Sequence, residues 1–332
     1  MERKYTLKDI AKLANVSDKT VSRVVNNEGR VKKETKEKIL RILKEKNYTI
    51  NTYAKGLTQR KTYQILVVSD IDRDLYPVQR TSIIINSIIK EAGKHQYKVV
   101  LVNNLDEMHS NYFGVLERGY FDGMIVLNSP RNNALLESVE SLGVPIIVSG
   151  KNDKFTFVGT DYELGAYLAA KYLFDKGAKT IRSLLNDPAW PTHIEKINGF
   201  KRALQENGGK NEVEDQADIV GVFNSKDVYQ YVEHEFQNGT LADGLIVSDD
   251  FSALGAIKAV NKYRIPCPQQ VQMISFGNLP ISTEVYPELS TVEQDFHMIG
   301  QMLVQKLLDR MNGQPVSSLK IQTRLIIRES TL

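Results

Sequence analysis

The stretch Thr6-Leu7-Lys8-Asp9-Ile10-Ala11-Lys12-Leu13-Ala14-Asn15-Val16-Ser17, running straight into Asp18-Lys19-Thr20-Val21-Ser22-Arg23-Val24-Val25-Asn26, decides how the rest of the chain is read. Leu7, Ile10, Ala11 and Leu13 recur at helical spacing behind a threonine, and Asp9 stands three residues after Thr6 in a variant of the capping box. Asn15-Val16 breaks that helix. Ser17 caps the next one, in which Val21, Val24 and Val25 turn inward while Asp18, Lys19, Ser22 and Arg23 form a short polar face. Two small helices joined by a tight turn match a helix-turn-helix, whose second helix enters the major groove of DNA. A third helix, from about Thr35 to Lys46, is expected to bury Ile39, Leu40, Ile42 and Leu43 and so complete a small core.

The charge of the chain is divided in the same place. Residues 1–61 hold 17 Lys/Arg against 7 Asp/Glu, and the remainder holds 26 against 33, so a net +3 conceals +10 and −7. A compact basic module on an acidic body suits a protein whose one end displaces counterions from phosphate while the other stays clear of the polyanion. With 332 residues the chain is long enough for two or three cores. No apolar run approaches the roughly 18 residues of a membrane span, and Met1-Glu2-Arg3-Lys4-Tyr5 leads into a polar helix pattern and not an apolar signal core, so export is not expected. A lone Cys267 rules out an internal disulfide and a cysteine zinc cluster, which fits a reducing cytoplasm.

Thr6 to Ser17 and Thr20-Val-Ser-Arg-Val-Val-Asn26 closely resemble the lactose repressor (LacI) family of bacterial regulators, and the resemblance continues through Asn47-Tyr48 and Asn51-Thr-Tyr-Ala54-Lys-Gly-Leu57. In that family the last segment is a hinge helix; paired hinges of a dimer enter the minor groove and a leucine, here Leu57, wedges a base step open. The resemblance implies a DNA-contacting set of Thr6, Ser17, Asp18, Lys19, Thr20, Ser22, Arg23, Asn26, Tyr48, Asn51, Ala54 and Leu57. Arg23 suits a bidentate contact with guanine; Asp18 either accepts from cytosine or serves the positive end of its own helix. Ile50 replaces a proline common before the hinge, and Lys32 a serine cap on the third helix.

From Gln64 onward, Ile65-Val68, Val99-Val102, Met124-Leu127, Ile146-Val148, Ile181, Ile219-Val220, Leu245-Val247 and Met273-Ile274 alternate with amphipathic stretches, the rhythm of doubly wound parallel α/β sheets. The expected fold is an N-terminal all-α helix-turn-helix domain and a two-lobed α/β body of the periplasmic-binding-protein kind. Expected domains are 1–50, a hinge and linker at 51–61, and a body at 62–332. Within the body, 62–160 with 291–317 form one lobe and 161–290 with 318–332 the other. A ligand of such sheets sits beyond the carboxyl ends of the strands, in the cleft between lobes.

Val158-Gly-Thr-Asp161 resembles the family's first crossing between lobes, and Asp187 to Thr192 a loop lining its effector pocket. The implied effector set is Asp70, Tyr76, Asp161, Trp190, Thr192, Lys196, Phe223, Asp249 and Asn278. Asp70 and Tyr76 belong either to the cleft or to a solvated loop, and Trp190 and Phe223 either to the ligand or to core packing. Lys196 stands for the family's arginine, Asp249 for an asparagine, and Gly277 for an aspartate that binds sugar hydroxyls. A site with Lys196 and without that aspartate repels an anion less, which favours a sugar phosphate or sugar acid, while Asp249 pulls the other way.

There is no glycine-rich phosphate loop, no Gly-x-Ser-x-Gly elbow and no His-Glu-x-x-His pair, and the five histidines are scattered, so no enzyme, metal site or cofactor is expected. The expected protein is a cytoplasmic, homodimeric repressor of a carbohydrate operon, released from a palindromic operator by a sugar, sugar phosphate or sugar acid. The alternative is a regulator whose DNA binding a corepressor strengthens. A transport-binding protein would fit the body but not the basic head.

Overall fold

The computed structural model describes residues 5–25, 29, 31–46, 61–69, 78–104, 108–128, 133–185, 191–207 and 224–332. The chain divides into two compact units, Met1–Thr62 and Tyr63–Leu332.

In the first unit, α1 (Leu7–Ala14) begins with a complete capping box: the Thr6 hydroxyl accepts from the Asp9 amide, and the Thr6 amide donates to the Asp9 carboxylate at 2.9 Å. Asn15 ends it in the left-handed region at φ 56°, a conformation asparagine tolerates, and so sets the turn into α2 (Asp18–Val25). Ser17 receives the Thr20 amide at 3.2 Å. Val21 and Val24 close on Ile10, Ala11, Ala14 and Ile39, the last contributed by α3 (Lys33–Glu45). Lys32 precedes α3 without a side-chain cap. Leu40 departs from expectation: it is 47% exposed, because three helices this short leave α3 only one buried stripe, centred on Ile39 with Ile42 and Leu43 beside it.

The second unit contains two sheets. The first has the order β10-β5-β4-β3-β1-β2, from β1 (Gln64–Ser69), β2 (Lys98–Val102), β3 (Gly123–Leu127), β4 (Ile146–Ser149), β5 (Phe157–Thr160) and β10 (Leu319–Ile321), all parallel. The second has the order β11-β9-β8-β7-β6, from β6 (Ile181–Leu184), β7 (Gly244–Val247), β8 (Gln272–Gly277), β9 (Ser290–Glu293) and β11 (Arg324–Ile326). The two-lobed α/β body is therefore as expected. It is not wholly parallel, because β11 follows β10 after two residues and must run antiparallel to β9.

The apolar runs are continuous because both faces of each sheet are covered. Ile65 and Val67 face α4 (Val78–Lys94) and α11 (Phe296–Met311), while Leu66 and Val68 face Met108, Leu116 of α5 (Phe113–Glu117) and Leu136 of α6 (Ala134–Ser141) on the other side. In the second sheet Leu245 and Val247 meet α9 (Ser225–Asn238) and α10 (Asp250–Tyr263); Ile246 meets α7 (Tyr162–Asp175) and α8 (Pro191–Glu206). Each fully buried leucine or isoleucine contributes about 1.5–3 kcal/mol.

The chain crosses between sheets after β5, after β9 and between β10 and β11. The second and third crossings fall a few residues beyond 290 and 317, because β9 completes the second sheet and β10 the first.

Candidate functional site

On α2, Asp18, Lys19, Ser22 and Arg23 share the face opposite Val21 and Val24. Asp18, Lys19 and Arg23 are exposed and Ser22 half-buried. Gly29, at φ 70°, lies under the Arg23 side chain, with Cδ 3.6 Å from where a Cβ would stand. The hydroxyls of Thr6, Ser17 and Thr20 are engaged in the caps of α1 and α2. Asn26, Tyr48, Asn51, Ala54 and Leu57 lie outside the described residues.

In the second unit a cavity of about 570 Å³, its open mouth included, lies where the carboxyl ends of the first sheet's strands meet the second lobe. Its wall combines strand-end residues Asn128, Ser149, Gly150 and Thr160 with Lys151, and with residues from the first turns of four helices: Arg80 of α4, Tyr162 of α7, Thr192 of α8 and Phe296 of α11. Gln294, at the second crossing, takes hydrogen bonds from Tyr162 at 3.1 Å and from Thr160 at 3.4 Å, so the first two crossings are joined inside the cavity wall. Arg80 donates to Asn128 Oδ1 at 3.0 Å, which aims its guanidinium along the wall.

Of the effector residues inferred from sequence, Thr192 lines this cavity. Asp161 caps α7 by accepting the Leu164 amide at 3.1 Å, and Asp249 caps α10 while binding the hydroxyls of Ser248 and Ser252. Asn278, at φ 62°, clamps the end of β8: its amide nitrogen donates to Glu293 at 2.9 Å and its oxygen receives Arg328 at 2.5 Å. None of these three is among the cavity-lining residues, because each is committed to the backbone geometry of its own lobe. Asp70, Tyr76, Trp190 and Phe223 lie outside the described residues.

Lys196 is buried one ring behind the wall. Its Nζ donates to the Ser248 carbonyl at 2.9 Å and sits 4.3 Å from the Phe276 centroid and 5.2 Å from that of Tyr162. Gly199 fixes its helix there, since any side chain at 199 would collide with the α7 backbone at Glu163. Burial lowers the Lys196 ammonium to about 7; Asp249 opposes that shift and Arg80 adds to it. Sequence reasoning missed Arg80, Asn128, Lys151 and Gln294. The residues just beyond each apolar run were the available signal, since strand ends line such clefts.

Residues 6–51 match the family described as bacterial regulatory proteins, lacI family, and residues 170–331 match a periplasmic binding protein-like domain. Catabolite control protein A of Priestia megaterium is 30% identical over 341 residues, spanning 98% of this chain and 99% of the relative. The chain belongs to the lacI family of bacterial regulatory proteins. As a lacI-family member it is a DNA-binding transcriptional regulator and not an enzyme. The ribose operon repressor of Halalkalibacterium halodurans is 27% identical, with 98% of this chain and 97% of the relative aligned. The Lac repressor dimer bound to operator and an anti-inducer superposes with a TM-score of 0.75 at 24% identity over 99% of this chain and all of that one. A LacI-family regulator from Enterococcus faecium with bound ribose gives 0.67 at 24% over 81% and 98%. The two structural likenesses establish the fold. No described helix is long and apolar enough to cross a membrane.

Proposed function

We propose that this lacI-family regulator represses a carbohydrate-utilisation operon from the cytoplasm, binding a palindromic operator as a homodimer and leaving it when a small sugar-type molecule enters the cavity. Asp18, Lys19, Ser22 and Arg23 read the major groove; Asn51, Ala54 and Leu57 act in the minor groove. The observation that carries the effector half is the cavity wall itself. It draws Ser149 and Lys151 from one lobe, Tyr162 and Thr192 from the other, and Thr160 and Gln294 from the crossings. A ligand touching all three favours one lobe arrangement, and its effect on DNA equals its differential affinity for the two arrangements. The ribose operon repressor among the relatives supports a carbohydrate signal.

The test is fluorescence anisotropy of a labelled palindromic operator with full-length protein, titrated with sugars and their derivatives. Release by a ligand supports induction, whereas tightening establishes corepression. No preference for a palindrome over random duplex at physiological salt overturns the operator reading.

A further inference from the structure

The arginine on the exposed face of α2 lies against the loop that follows that helix. Val21 and Val24 point into the core of the first unit, which fixes how α2 is turned and leaves Arg23, in its last turn, on the outside. Val25 and Val31 pack against the same core, so the return of the chain from α2 towards α3 is anchored at both ends. Gly29 stands between them at φ 70°, in the left-handed region where an L side chain is strained. Three consecutive atoms of the Arg23 side chain run beside it: Cγ, Cδ and Nε lie 4.0, 3.6 and 3.7 Å from where a Cβ would stand. The stem is thus laid along bare backbone. A Cβ would already touch all three atoms, and anything larger would compete with the stem for the same space.

An arginine reads guanine through a planar fork that must meet O6 and N7 together, so the direction of its stem matters as much as its charge. Fixing a long side chain on binding costs rotamer freedom, and a contact that restricts it in the unbound protein lowers that cost for the one base it faces. We propose that Gly29 is a positioning residue for base reading: its bare, left-handed backbone supports the Arg23 stem and directs the guanidinium to one guanine of the operator. Among the described residues, the three atoms nearest that Cβ position all belong to Arg23, which confines the effect to the base pair that Arg23 meets. The inference rests on the reading of Arg23 as a groove contact and adds the residue that aims it.

The experiment uses the full-length protein and a palindromic duplex that it selects from a randomised pool, varied one base pair at a time and measured by fluorescence anisotropy at fixed salt. Gly29→Ala, Gly29→Asn and Arg23→Met are compared singly, and each Gly29 variant is also combined with Arg23→Met. Both Gly29 variants are expected to weaken the selected duplex about three- to tenfold, the ordering of one side chain, and to flatten preference at the same base pair that Arg23→Met flattens. In the Arg23→Met background neither should weaken binding further. Asparagine tolerates the left-handed region, so Gly29→Asn tests the contact with little backbone strain, and melting temperatures check that each variant folds. Full preference at that base pair in either Gly29 variant, or an equal loss in the Arg23→Met background, overturns the inference and leaves the groove reading intact. Arg23→Met that changes no base preference overturns the groove reading, and the inference with it.

Discussion

The Asp250 carboxylate fills the space that a side chain at residue 277 would need: a Cβ at Gly277 would stand 2.5 Å from Asp250 Oδ2. Asp250 is held there by the Ser275 hydroxyl, the Thr291 hydroxyl and the Leu279 amide, which tie α10 to the end of β8 and to β9. Gly277 also has φ 144°, where an L side chain is strained. Its glycine is therefore the partner of Asp250. Gly277→Ala should destabilise by about 2–4 kcal/mol, from strain and overpacking together. Urea unfolding of Gly277→Ala, alone and combined with Asp250→Ala, measures it. The cost should shrink in the double variant, and an unchanged midpoint in the single variant would refute the clash.

Burial raises the Asp250 carboxyl to about 6, against the pull of its three hydrogen-bond donors. The folded state then holds that proton more tightly than the unfolded chain, whose carboxyl titrates near 4. Its contribution to stability is greatest below pH 4, declines as pH rises to about 6, and is constant above. The stability of the native chain minus that of Asp250→Asn should fall by roughly 3 kcal/mol across that window. A flat difference between pH 4 and 7 would mean that Asp250 titrates normally.

The helix-turn-helix and β1 to β4 and β6 to β8 could be read from sequence because each rests on a local period: Val21 and Val24 at helical spacing, Ile65 to Val68 as a continuous apolar run; β5, β9, β10 and β11 are too short and too polar to show one, and Ile219-Val220 lies outside the described residues. The absence of an acid at 277 was visible too. Its cause was not, since Asp250 reaches that point only after β7 and β8 pair. The resemblance put Lys196 at the ligand, whereas it lies behind the Tyr162 and Phe276 rings, a place that depends on Gly199 letting α8 press onto α7. Arg80 belongs to a helix of the first lobe, and only the three crossings bring it opposite Thr192.

Glu195 on α8 and Lys320 on β10 pair at 2.6 Å, joining the second lobe to the first sheet. The glutamate side chain is 4% exposed, so removing its partner leaves a buried charge; Lys320 is 37% exposed, which lets water soften the loss. Lys320→Met should cost about 1–3 kcal/mol, below the ~3–5 kcal/mol of a fully buried pair. Arg324→Met, whose pair with Glu293 lies at a far more exposed arginine, should cost under ~1 kcal/mol. Thermal melts showing equal losses for the two variants would contradict this ranking.

Arg23 and Asp18 lie on the exposed face of α2 and make separable predictions. Arg23→Met should weaken operator binding by about 1–3 kcal/mol and relax preference at a single base pair. Lys19→Met, if Lys19 meets phosphate, should weaken all sequences alike and lower the salt slope by about one unit. Asp18→Asn decides between its two roles. A changed base preference establishes groove reading, and a lower melting temperature with unchanged preference establishes a part in stabilising the first turn of α2.

Lys196 ties stability to pH. Its ammonium is lowered to about 7, first by burial, with Arg80 adding to that effect and Asp249 opposing it. A lysine of the unfolded chain titrates near 10.4, so the folded state holds this proton more weakly, and the penalty of charging the lysine grows as pH falls from about 10 to about 7. The stability of the native chain minus that of Lys196→Met should therefore rise by roughly 1.4 kcal/mol per pH unit between pH 7 and 9. Urea unfolding at pH 7, 8 and 9 measures it, and a flat difference would mean that burial leaves the Lys196 proton where an exposed lysine holds it.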